Sequence, residues 1–189
     1  MDLFRVFQWD GVSLDVASGG PLFVPRARQG QGRHDCPTLY GAWYCTRHPL
    51  SAVAEAIKHL RGRRLADEHF SRGSDSRQAL VALRFAESAP LVDLDDAAQL
   101  LARRLQPSHV ATHRRSRTQR IAEGIFSEGA AGIRWWSTLN AEWTNVTLFH
   151  ERALPQIALL GPPRPLSIEL PEVREAAEQI GVRIRDQES

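Results

Sequence analysis

The stretch that most constrains this chain is residues 32–55, GRHDCPTLYGAWYCTRHPLSAVAE. It puts a cation on a loop, an aromatic hydroxyl on a short apolar strand and a carboxylate on a helix: Arg33, Tyr44 and Glu55. Eleven residues separate Arg33 from Tyr44, and eleven more separate Tyr44 from Glu55. A strand advances about 3.3 Å per residue and a helix about 1.5 Å. A turn at Arg47, His48 and Pro49 that folds the helix back on the strand lets the three side chains converge on one cleft. The same residues also read as a solvated arginine, a core tyrosine and a surface carboxylate, and spacing alone does not choose. On a helix starting near Pro49, Val53, Ile57 and Leu60 form the apolar stripe, which Ala54 and Ala56 widen. Glu55 lies at its edge, where a carboxylate needs a partner or a cavity because an unpaired buried charge is costly.

With 189 residues the chain is long enough for one domain with a real core, and a single domain over 1–189 is the expectation. A hydrophobic fraction of 42% is ordinary for a globular protein. No run of eighteen apolar residues occurs, and MDLFRVFQWDG lacks a basic segment followed by an apolar one. A cytoplasmic protein without a membrane partner is therefore expected. The net charge of +2 is too small to imply a nucleic-acid or membrane partner by itself. Lys58 is the sole lysine; every other cation is arginine. Cys36 and Cys45 make no zinc spacing, and His34, His48 and His59 read as surface or loop histidines, so no metal is expected.

Aromatic and branched residues predict strands over 3–9, 39–45, 78–86, 90–93, 132–137 and 145–150. Helices are expected over 49–60, from Asp95 or Asp96 through Leu105 to a stop at Pro107, and over 114–127 and 171–180. Residues 62–77 read as an exposed loop, 167–170 as a strand and 182–184 as a closing strand. The arginines at 114, 115, 117 and 120 oppose the macrodipole near a helix start, so helix stability is not their purpose. The mixture lacks regular βαβ alternation, which favours an α+β fold with a mixed or antiparallel central sheet and flanking helices. Neither GxGxxG nor GxxxxGK[ST] is present.

The combination of Gly32-Arg33, the strand residues Ala42-Trp43-Tyr44 and Ser51-Ala52-Val53-Ala54-Glu55 resembles the RES-domain family, named for its Arg, Glu and Ser. Later, Gly132-Ile133-Arg134-Trp135-Trp136-Ser137 and Thr144-Asn145-Val146-Thr147-Leu148-Phe149 are similar to that family's serine segment and the Asn-led strand after it. The resemblance runs from about Leu3 to Phe149. It implies a fold similar to ADP-ribosyltransferases and an enzyme that breaks the nicotinamide–ribose bond of NAD, with water or phosphate as acceptor. NAD is then substrate, no cofactor is required, and Arg33, Tyr44, Glu55, Ser137 and Asn145 are the implied site. Several such proteins are toxins of bacterial toxin–antitoxin pairs, so a helix-turn-helix antitoxin is the implied partner; a homodimer stays open. Where many relatives have an aromatic residue and then Asn after the Arg, this chain has His34 and Asp35. These replace a flat platform with an ionisable ring and add negative charge beside an anionic substrate. Arg26 and Arg28 are rival anion-binding residues, and Trp135 and Trp136 are expected to narrow the cleft.

The residue types suit that reaction on their own chemistry. Cleaving an N-glycosidic bond passes through an oxocarbenium-like state. Glu55 can stabilise the developing charge and accept from a ribose hydroxyl. Arg33 offers a planar fork for a pyrophosphate or an attacking phosphate. Tyr44 combines an apolar face with one hydroxyl, and Ser137 and Asn145 can donate to a nicotinamide amide or a phosphate. Two other readings stand beside this one. One is a catalytically silent RES-like domain that binds a nucleotide or a protein. The other is a nucleic-acid binder using Arg103, Arg104, Arg114, Arg115, Arg117 and Arg120, against which no aromatic residue interleaves those arginines.

Overall fold

The computed structural model describes residues 1–73 and 75–185. Strands run over Asp2–Trp9 (β1), Ala42–Thr46 (β2), Arg64–Leu65 (β3), Ser71–Arg72 (β4), Ser76–Phe85 (β5), Leu91–Asp93 (β6), Gly132–Trp136 (β7), Thr144–Phe149 (β8), Ile157–Leu159 (β9), Arg164–Pro165 (β10) and Arg183–Ile184 (β11). Helices run over Pro49–Ile57 (α1), Ala97–Ala102 (α2), Pro107–Val110 (α3), Arg115–Ser127 (α4), His150–Ala153 (α5) and Pro171–Gln179 (α6). This is a mixed parallel and antiparallel sheet with flanking helices, as expected. Among the described residues no helix is long and apolar enough to cross a membrane.

The chain forms two compact units. The first holds Met1, Val24–Cys45 and Arg84–Ala158. Its strands lie in the order β2-β8-β7-β6. β6 pairs parallel with β7, at Val92↔Ile133, and β7 pairs antiparallel with β8, at Ile133↔Thr147 and Trp135↔Asn145. Gly132 permits that last pairing, because a Cβ there would lie 2.5 Å from the Thr147 carbonyl oxygen. α4 buries Thr118, Ala122 and Ile125, one helical face at i, i+4 and i+7. That face joins a core of Tyr40, Ala42, Ile133, Trp135 and Phe149. Asp96 caps α2 by accepting from the Ala98 N–H at 2.8 Å. α2 ends at Ala102, short of the expected Leu105, as the chain turns through Arg104 at φ +53°, and Pro107 does not stop that helix but occupies the first turn of α3.

The second unit holds Asp2–Phe23, Thr46–Leu83 and the chain from Leu159 onward. α1 starts on Pro49, with His48 Nδ1 accepting from the Leu50 N–H at 3.3 Å, and packs its Leu50, Val53, Ala54 and Ile57 face on β1 and α6. The expected helix over 49–60 is α-helical to Ile57 and finishes as a 3₁₀ turn, Lys58–Leu60.

Three expectations need correction. The segment 62–77 is no plain exposed loop: β3, a 3₁₀ turn at Asp67–Phe70 and β4 lie in it, and Leu65, Ala66 and Phe70 are buried. The cause is long-range, since β11 from the far end of the chain pairs parallel with β3. Residues 167–170 make a turn closed by Leu170 N–H to Ser167 O at 3.1 Å, and the strand there is β10 instead. The strand expected from residue 39 begins at Ala42, because the Leu39 and Tyr40 amides are spent on the Cys36 carbonyl, each at 2.9 Å.

Candidate active site

The centre of the first unit's candidate site is the loop that carries Arg33. A lone acceptor closes it. Asp35 Oδ2 accepts from the Gly30 and Gly32 N–H groups, each at 2.7 Å, and Asp35 Oδ1 accepts from the Tyr44 hydroxyl at 2.6 Å. Gln119 of α4 grips the same loop through its carbonyls, donating Nε2 to Gly30 O and Gly32 O at 3.0 Å each. Gly32 is required by space rather than by φ: a Cβ would sit 2.4 Å from both Asp35 Oδ1 and the Tyr44 hydroxyl. The Tyr44 hydroxyl also accepts from the His34 N–H at 2.9 Å. Although Tyr44 is 37% exposed, its hydroxyl is thus held at both ends. Burial and the neighbouring Asp35 charge push its pKa up from the ordinary phenol value, so it stays a donor.

Arg33 is aimed by main-chain carbonyls. Its Nη1 donates to Val110 O at 2.7 Å and Thr112 O at 2.9 Å, and its Cζ lies 4.9 Å from the Trp135 ring centroid, a cation–π geometry. Thr118 of α4 donates its hydroxyl to Arg33 O. The rivals are engaged otherwise. Arg26 pairs with Glu151 at 2.9 Å and donates Nε to Pro37 O at 2.6 Å, and Arg28 is solvent-exposed.

The sheet places the remaining residues by parity. Asn145 and Thr147 lie opposite Trp135 and Ile133, and directly opposed residues share a face. His34 ties Tyr44 to that face, since its N–H donates to the Tyr44 hydroxyl at 2.9 Å and its Nδ1 lies 2.9 Å from Thr147 Oγ1. Tyr44 and Asn145 therefore project to one side of the sheet, as a common cleft requires. Asn145 is buried. Ser137 follows β7, is buried, donates its N–H to Trp143 O at 2.8 Å and accepts from the Leu139 N–H on Oγ at 3.1 Å. With Trp136, Leu94 and Leu100 it lines a cleft of about 620 Å³. Glu55 belongs to the second unit, where its carboxylate pairs with Lys58 Nζ at 2.6 Å and its side chain is 26% exposed, which meets the need for a partner at the edge of the stripe.

His34 lies in the loop, as one of the two expectations had it, but it is not a surface histidine. It is 1% exposed, its Nδ1 lies 2.9 Å from Thr147 Oγ1, and its ring meets Trp135 edge-on at 5.4 Å. Burial, reinforced by the Arg33 and Arg115 charges, lowers its pKa to about 3. The ring is neutral at physiological pH and serves as a packed wedge rather than a switchable charge. Asp35 likewise does not present its charge to a ligand, because its oxygens close the loop. Sequence reasoning named neither role, and it missed Thr147 and Gln119 altogether. The signal available for Thr147 was a second polar residue two positions after Asn145 on a buried strand.

The RES domain family profile matches residues 3–169. No curated protein matches the chain. Among solved structures, a chain of the M. tuberculosis MbcT–MbcA toxin–antitoxin complex superposes with a TM-score of 0.66 at 15% identity, covering 96% of this chain and 89% of that one. At that identity the likeness speaks for the fold. The family profile spans most of the sequence, and the chain belongs to the RES-domain family.

Proposed function

We propose that this chain cleaves the nicotinamide–ribose bond of NAD, as a glycohydrolase or phosphorylase, and that it is the toxin of a bacterial toxin–antitoxin pair. The observation that supports this best is the braced loop, in which Asp35 and Gln119 fix the backbone around Arg33 while two carbonyls and Trp135 orient its guanidinium. Positioning of this kind lets a fork meet a phosphate oxygen pair without further ordering. Tyr44 supplies the exposed face of its ring, its hydroxyl proton being committed to Asp35, and Ser137 and Asn145 supply polar groups for the amide or the phosphates. Glu55, assigned by the family motif, supplies the carboxylate that answers the oxocarbenium-like charge. Family membership and the fold shared with a chain of a toxin–antitoxin complex support the toxin reading; the partner we propose is the helix-turn-helix antitoxin that the family resemblance implies, met in the cytoplasm.

The test is to incubate the purified full chain with NAD and quantify free nicotinamide, with and without inorganic phosphate. Release is expected from the wild type, with ADP-ribose as co-product in water and its phosphate adduct when phosphate is the acceptor. Glu55→Gln is expected to lose about 10²–10³ in rate with unchanged melting. A folded wild type that releases no nicotinamide establishes the other reading, a silent RES-like binding domain. Undiminished release by Glu55→Gln removes that residue from the chemistry.

A further inference from the structure

Charge along the chain is strongly segregated. Residues 97–122 contain six arginines and two histidines and no Asp or Glu at all. Six cations exceed the net +2 of the whole protein, so the remainder is net acidic. The segment builds α2, α3 and the first half of α4, all within the first unit. α4 opens with no acidic residue in its first turn and no side-chain cap, with Arg115 and Arg117 there instead. Cations at a helix N-terminus work against the macrodipole, so these arginines cost α4 stability.

They border a concave surface. A cleft of about 410 Å³ is lined by Arg117, Arg120 and Ile121 from α4 and by Arg103, Leu105 and His109 from the segment before it. Its one acid, Glu128, is already paired with Arg103 at 2.6 Å. Arg120 is steadied by Nε donating to Ser116 O at 3.1 Å. His109 Nδ1 accepts from the Gln106 N–H at 3.3 Å, which leaves Nε2 as the ring's donor position. Apolar Leu105 and Ile121 lie between these polar groups. None of the lining residues belongs to the candidate active site.

We propose that this cleft is a docking site for an acidic amphipathic peptide segment, whose carboxylates meet Arg117 and Arg120 and whose apolar side chain covers Leu105 and Ile121. Charge complementarity selects an anion. The apolar residues between the arginines select a ligand that also carries an apolar side chain, which a free inorganic anion does not. The lining contains no Phe, Tyr or Trp, and its one ring is the small imidazole of His109, so a single-stranded nucleic acid, which stacks best on large aromatic faces, fits it less well. The site stands apart from NAD cleavage and does not depend on it.

A random 12-residue peptide phage library panned on the immobilised full chain tests this, with the Arg117→Glu/Arg120→Glu variant as counter-target. Both arginines are exposed, and placing acids in the first two turns of α4 removes an unfavourable dipole interaction. The variant is therefore expected to melt no lower than the wild type and to cleave NAD at the same rate. Enriched peptides are expected to combine Asp or Glu with Leu, Ile or Phe, to bind the variant about tenfold or more weakly, and to lose affinity as salt rises. Three results overturn the proposal: no enrichment, enriched peptides without acids, or equal binding to both proteins. A labelled 20-nucleotide single strand that binds with the same arginine dependence, more tightly than any peptide, assigns the cleft to nucleic acid instead.

Discussion

Replacing Asp35 with alanine removes the acceptor around which the Arg33 loop closes. The carboxylate is 6% exposed and takes three hydrogen bonds, from Gly30 N–H, Gly32 N–H and the Tyr44 hydroxyl, at 2.7, 2.7 and 2.6 Å. Hydrogen bonds to a charged group are each worth about 1.5–3 kcal/mol, and a donor left buried bears its own desolvation cost. The loop glycines are only partly buried, so water reaches some of the abandoned donors and the losses do not add in full. We expect a net loss of about 3–5 kcal/mol. For a chain of this size each kcal/mol moves the melting point by about 2–4 °C, so the drop should be on the order of 10 °C. Asp35→Asn should fall between the two, because an amide oxygen still accepts but its NH₂ confronts a third donor. The assays are thermal melting, amide hydrogen exchange at Gly30 and Gly32, and nicotinamide release. The two amides should exchange faster in both variants, and release should fall by more than the unfolded fraction explains. An Asp35→Ala protein that melts within about 1 °C of wild type and keeps both amides protected refutes the view that this carboxylate organises the loop.

Gly32→Ala should damage the same loop from the other side, since the new Cβ lands 2.4 Å from Asp35 Oδ1 and the Tyr44 hydroxyl; a melt matching wild type counts against the packing described here. Arg33→Lys should cut nicotinamide release strongly, because a point charge replaces a fork held by two carbonyls, whereas Arg28→Lys on the exposed surface should leave turnover unchanged. Arg26→Lys should act mainly through its bonds to Glu151 and Pro37, lowering the melting point more than the rate. His34 gives a pH test. With its folded pKa lowered to about 3 against 6.5 unfolded, the unfolded chain binds the extra proton between those values, so stability is complete above pH 6.5 and declines as pH falls toward 3. The decline from this residue is about 1.4 kcal/mol per pH unit over most of that window, and urea titrations of His34→Gln should lack that part of the slope.

Local pattern was enough for much of this protein. Alternating aromatic and branched residues marked β1, β5, β7 and β8, and proline at a first turn with an i, i+3, i+4 stripe marked α1, because those periods are set by backbone geometry before any packing occurs. The resemblance to the RES-domain family, carried by the segments 32–33, 42–44, 51–55, 132–137 and 144–149, implied Arg33, Tyr44, Glu55, Ser137 and Asn145 as candidates. What local pattern left open was decided by contacts between residues distant in sequence. Leu65 and Phe70 sit in a polar, glycine-punctuated stretch, and distant segments meet it: β11 pairs with β3 beside Leu65, and Ile168 donates its N–H to Asp67. The acidic lining of Glu128 is cancelled by Arg103, twenty-five positions earlier, which no helical period links. His34 and Asp35 looked like an added positive switch and an unwelcome negative charge. The tertiary structure neutralises the first by burying it against Thr147 and Trp135 and consumes the second on the amides of Gly30 and Gly32 and the hydroxyl of Tyr44. The physical reason is that a side chain's type sets which bonds it can make, whereas its solvation and its partners exist only once the chain has closed around it.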